Sequence, residues 1–90
     1  MARLLRNLKA IYLQRSDLPR ALSFSNWILL ATPDSAADIR DRGLILEQLD
    51  CAQAAISDYR RYLTLAPTAA DQGLIRQRLG LLEPRRPSLN

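Results

Sequence analysis

The sequence predicts an all-α fold of stacked antiparallel helical hairpins, and three observations lead there. The chain repeats itself at an offset of 34 residues: Arg6 pairs with Arg40, Ile11 with Ile45, Gln14 with Gln48, Ala21 with Ala55, Leu29 with Leu63 and Pro33 with Pro67. Apolar residues recur at intervals of three and four through five segments, the period of an amphipathic helix. No segment alternates with period two over a useful length, so no strand is expected.

The first helix is expected over about 3–15, where Leu4, Leu5, Leu8, Ile11 and Tyr12 recur at helical spacing. Ser16 and Asp17 end it, and Asp17 caps a second helix over about 18–31. Pro19 is tolerated there because an N–H in the first turn has no intrahelical partner anyway. Leu18, Ala21, Leu22, Ile28 and Leu29 form its inner face, and Thr32 before Pro33 stops it, since proline disfavours helical geometry in the residue it follows. Ser35 to Asp38 resembles a capping box for a third helix, about 36–49, with Ile39, Gly43, Leu46 and Leu49 inward. Asp50 to Gln53 caps a fourth, about 51–65, striped by Ala55, Ile56, Tyr59, Tyr62 and Leu63 and stopped at Ala66 before Pro67. Thr68 to Asp71 caps a fifth, about 69–83, which buries Ile75, Leu79 and Leu82 and offers Gln72, Arg76 and Arg78 to water. Residues 1–83 thus form one domain, and 84–90, with Pro84 and Pro87, a flexible tail.

Composition narrows the function. The chain is 48% hydrophobic and 24% charged, an ordinary globular balance. Its longest apolar run, Trp27 to Ala31, falls far short of the about 18 residues a membrane helix needs, and the basic start has no signal core behind it. A cytoplasmic location is the default, with no membrane partner. Cys51 is the only cysteine and there is no histidine, which removes disulfides, Cys-His and Ser-His catalysis and most zinc sites. Cys51 is expected to be a small, semi-buried packing residue. No carboxylates pair in an identifiable pocket, so neither an enzyme nor a cofactor is expected. The net charge is +4, but it is segmented: Arg3, Arg6, Lys9, Arg15 and Arg20 load the first hairpin, while Asp34, Asp38, Asp41, Glu47, Asp50 and Asp58 load the second. No basic stripe or nucleic-acid motif results, so nucleic acid is not expected as a partner.

With these residues in view, the chain resembles the tetratricopeptide repeats, helical hairpins of 34-residue period that bury their apolar faces only by stacking. The first repeat (about 2–35) supplies Leu5, Leu8, Tyr12, Ala21, Ile28 and Pro33; the second (about 36–69) supplies Ile39, Gly43, Leu46, Ala55, Tyr59, Tyr62 and Pro67. The resemblance implies a right-handed stack of two repeats closed by a capping helix. Gly43 and Ala55 are small where helices approach closely. Lys9 replaces the small residue and Ser25 the bulky one in repeat one, as in an atypical terminal repeat.

Asn7 to Leu13 and the run Arg40 to Leu44 also resemble the tail of bacterial transglutaminase-like proteins of the SirB, or invasion regulator, type. In that family such repeats follow a papain-like domain that holds the catalytic residues, and no role passes from it to Cys51. The resemblance leaves open an excised C-terminal fragment or a natural short form. It also implies a concave face lined by the first helices of each repeat: Arg3, Arg6, Asn7, Ala10, Leu13 and Gln14, then Ala37, Arg40, Asp41, Leu44, Glu47 and Gln48. Arg6 and Arg40 could fork onto a partner's carboxylates; the alternative is that both are solvated or paired locally, as Arg40 with the nearby Asp38 or Asp41. A chaperone-tail clamp is not expected, because Ala10, Asp41 and Asp71 replace its asparagines and a basic residue. The expected partner is a protein or peptide, or an N-terminal domain of the same parent. Trp27 is expected to be partly buried against its neighbour; the alternative is a contact with another domain or a second copy.

Overall fold

A computed structural model describes residues 1–84; the tail expected at 84–90 lies, Pro84 apart, outside the described residues. Among those described there are five helices and no strand: α1 (Ala2–Gln14), α2 (Leu18–Ala31), α3 (Ala36–Gln48), α4 (Ala52–Leu65) and α5 (Gln72–Leu82). Each packs on its neighbour in the chain, so the helices form a succession rather than one closed bundle.

The 34-residue repeat extends to backbone angles. Among the described residues, Ser16 and Asp50 are the non-glycine residues with positive φ, at 57° and 60°. Each follows the helix cap and closes the same pair of bonds: Asp17 N–H to the Tyr12 carbonyl (2.8 Å) and Ser16 N–H to that of Leu13 (3.0 Å), then Cys51 to Leu46 (2.9 Å) and Asp50 to Glu47 (3.0 Å). This is a Schellman end, where glycine is the usual residue. Thr32 and Ala66 likewise share φ near −134° and −133° ahead of their prolines. Asp50→Gly is expected to raise the unfolding free energy by about 0.5–1 kcal/mol, because glycine adopts the left-handed conformation without a Cβ penalty. Urea melts followed by circular dichroism check this.

Helix starts follow the sequence less closely. Asp17 caps α2 as expected, accepting from the Arg20 N–H at 3.2 Å. Ser35 does not cap α3: its hydroxyl donates to Asp38 Oδ2 at 2.6 Å, because that carboxylate is drawn toward Arg6. Asp50 is engaged in ending α3, so Cys51 stands at the cap of α4 with no side-chain cap bond. Asp71 starts α5, but its carboxylate takes Arg40 and Tyr62 instead of a backbone N–H. Cys51 is exposed, not semi-buried, for the same reason: the cap position faces water.

The core runs from α2 to α5 through Leu29, Ile39, Leu46, Ala55, Tyr59, Tyr62 and Ile75. Ile45, not expected inside, is 3% exposed, and its counterpart Ile11 is 42% exposed. Leu4 is also exposed. Both Leu4 and Ile11 were expected on the inner stripe; they lie outside because the face of α1 that carries them is turned away from α2 and α3, with no described helix against it.

Gly43 shows why the helices need a small residue there. A Cβ at this position would meet two ring carbons of Tyr59 at 2.7 and 2.8 Å. The two departures of repeat one fall on the counterparts of this touching pair, Lys9 for Gly43 and Ser25 for Tyr59, and both are buried. The large and small partners have exchanged helices. Gly43→Ala should lose about 1–2 kcal/mol despite better helix propensity, since the fully buried Tyr59 cannot swing aside. Gly80→Ala, whose Cβ meets nothing within 4 Å, should gain up to about 1 kcal/mol in the same urea assay.

Candidate protein-binding face

The face lined by α1 and α3, continued by α5, is held together by charge. Arg6 on α1 forks onto Asp38 on α3, Nε to Oδ1 at 3.1 Å and Nη2 to Oδ2 at 2.5 Å. Lys9, buried although it is a lysine, extends from α1 to Asp41 at 3.2 Å and lies 3.9 Å from Asp38. Arg40, the repeat counterpart of Arg6, bonds Asp41 at 3.0 Å and reaches Asp71 at the start of α5, also at 3.0 Å. Glu47 on α3 takes both Nε and Nη2 of Arg78 on α5 at 2.8 Å, and accepts from the Tyr59 hydroxyl at 2.6 Å. Tyr62 donates to Asp71, and Arg40 lies over the Tyr62 ring.

These contacts favour the ionised forms of Asp38, Asp71 and Glu47. The hydrogen bond from Arg6 depresses the Asp38 pKa against the opposing effect of burial, helped by Ser35 and Lys9. Tyr62 and then Arg40 depress that of Asp71. Burial would raise Glu47, but Arg78 and Tyr59 outweigh it and leave it lowered. The Tyr59 hydroxyl is pushed up by burial and by Glu47.

Arg6, Arg40, Asp41 and Glu47 are therefore engaged between helices. Arg40 pairs locally, as one reading of the sequence allowed, though with Asp41 and Asp71 because Arg6 holds Asp38. Arg78 was expected to face water; it is clamped to Glu47 instead. Leu44 is half-buried against the core. Arg3, Asn7, Ala10, Leu13, Gln14, Ala37 and Gln48 remain exposed. Arg3, Asn7, Ala10 and Gln14 follow one another at four, three and four residues, so they form a single helical stripe.

On the opposite side, Arg42 bridges α3 to Asp58 on α4 (2.7 and 2.8 Å) and Asn26 on α2 (3.2 Å). It lines both of two open hollows of about 300 Å³, one against Leu22 and Leu46, the other against Leu30 and Pro33. No sequence signal pointed to this bridge, because its counterparts in repeat one, Leu8 and Phe24, are apolar. Trp27 is 54% exposed and meets Phe24 edge to face at 5.4 Å. Among the described residues no helix is long and apolar enough to cross a membrane.

The helical succession has counterparts among known proteins. A family profile described as tetratricopeptide repeat matches residues 8–80. A UPF0162 protein of Xylella fastidiosa is 34% identical over 79 residues, covering 88% of this chain and 28% of that protein. One from Vibrio cholerae is 35% identical over 75 residues, covering 83% and 28%. Protein SirB1 of Salmonella typhimurium is 30% identical over 80 residues, covering 89% and 30%. The chain thus spans about 30% of the length of the curated relatives it matches. Period, helix order and profile coincide, and the chain belongs to the tetratricopeptide repeat family.

Proposed function

We propose that this chain is a protein-interaction module, acting in the cytoplasm and without catalysis of its own, whose concave α1–α3 face takes an extended protein segment. One observation carries the reading: Arg3 and Leu13 apart, the side chains left exposed on that face are amides and alanines, while Arg6, Arg40, Asp41 and Glu47 are engaged in ion pairs. Asn7, Gln14 and Gln48 each present a donor and an acceptor, the chemistry that pairs with a peptide backbone. Ala10 and Ala37 leave room for that backbone to approach, and Arg3 adds a cation at one end. Peptides selected by display against the wild-type chain should bind Asn7→Ala/Gln14→Ala about tenfold more weakly, the cost of about one or two lost hydrogen bonds. Selected peptides that bind this double variant and Ala10→Arg as well as wild type would place the site elsewhere.

The relatives' length favours a second reading, in which these helices support a transglutaminase-like domain in a longer parent. An in-frame papain-like domain encoded upstream of Met1 would support it; a stop codon there would remove it.

A further inference from the structure

We infer that the N-terminal end of the stack docks an amphipathic α-helix lying outside residues 1–90, aliphatic at its centre and edged with carboxylates. Repeat two meets repeat one through Asp38 bound to Arg6, Arg42 bound to Asn26, Arg61 bound to Asp34, and the buried Ile45. Thirty-four residues earlier stand the positions that repeat one offers to whatever precedes it: Leu4, Leu8, Trp27 and Ile11. All four are apolar where repeat two is mostly charged. Leu4 is 57% and Trp27 54% exposed. Tyr12 stacks on Phe24 at 5.5 Å and Phe24 holds the edge of Trp27, so the patch is an ordered aromatic surface. An outermost repeat stays soluble by presenting a polar face. Repeat one instead presents the face of an internal repeat.

The occupant follows from the interface that the stack already contains. The equivalent face of repeat two is met by a helix, α2, so continuity of packing calls for a helix here. The edge of the patch is cationic: Arg3 and Arg15 have no ion-pair partner among the described residues, while Arg20, paired with Asp17 at 2.8 Å, lies over the Tyr12 ring. Arg15 continues the spacing of Leu4, Leu8 and Ile11 along α1. Such a rim selects carboxylates and repels like charge. A second copy fits poorly, since the same face would oppose arginine to arginine. The other end of the stack sets Arg76 beside exposed Leu74 and Leu81, which is no better matched.

Trp27 is the single tryptophan, so its emission reads this face directly. The probe is a synthetic helix of about 18 residues with leucines at helical spacing flanked by glutamates, long enough to hold helical structure. Its twin carries lysines instead. The glutamate peptide should shift Trp27 emission to the blue, saturably and less at high salt, while the lysine peptide does not. Ile11→Glu and Leu4→Gln should each weaken binding about tenfold with unchanged circular dichroism. Asn7→Ala, which the groove reading needs, should leave it unaltered. No shift, or equal binding of both peptides, overturns the inference. So does a blue shift that grows with protein concentration alone, which would mean a second copy, or one produced only by phosphatidylserine vesicles, which would mean a membrane surface.

Discussion

Tyr59→Ala is expected to remove about 3–5 kcal/mol of stability, the cost of truncating a large, fully buried aromatic side chain. Tyr59 packs against Gly43 across the α3–α4 hairpin and belongs to the cluster that runs from α2 to α5. Small domains have only about 5–15 kcal/mol in total, so the variant should melt far below the wild type. Tyr59→Phe keeps the ring and loses only the hydroxyl bond to Glu47, which Arg78 still holds; about 1 kcal/mol is expected. Urea melts by circular dichroism separate the two. A near-equal loss in both would mean that the hydroxyl, not the ring, carries the effect.

Asp38→Ala should cost about 2–3 kcal/mol. Its carboxylate is buried and binds Arg6, Ser35 and, more distantly, Lys9. Removing one partner of a buried pair usually costs about 3–5 kcal/mol, because the other charge is stranded. Here Arg6 is 43% exposed and can hydrate, and Lys9 keeps Asp41, so the loss is smaller. The same carboxylate sets the acid response. Asp38, Asp71 and Glu47 all have lowered folded-state pKa values, so near pH 4 the unfolded chain binds more protons than the folded one. The stability they contribute is complete above the ordinary carboxylate value of about 4 and is lost as pH falls through the folded values. With no histidine, the melting temperature should be flat from about pH 6 to 8 and fall steeply below about 4. Asp38→Asn should make that acid slope shallower.

The helices and their stops were legible because the proline pair, the apolar spacing and the 34-residue offset agree with one another. Gly43, Ala55 and Tyr59 were recognisable from size alone. What escaped was long-range charge. Lys9 reads in sequence as a misfit at a small-residue position, and only the fold reveals Asp41 waiting for its amine. Ser35 with Asp38 looks like a helix cap, but capping is a local option and Arg6, 32 residues away, outcompetes it. The proposed face divides in the same way: the exposure of Arg3, Asn7 and Gln14 follows from helical spacing, whereas the engagement of Arg40 and Glu47 depends on where α5 comes to rest.

The exchanged sizes in the two hairpins bear on how the chain avoids mispairing. Similar repeats tempt a helix to fold against the wrong partner. Here α4 laid on α1 would drive the Tyr59 ring into the lysine stem, and α2 laid on α3 would leave Ser25 facing Gly43 across a void. Each hairpin accepts only its own mate, so a swapped or slipped assembly is penalised at the first turn of contact rather than after the whole array has formed.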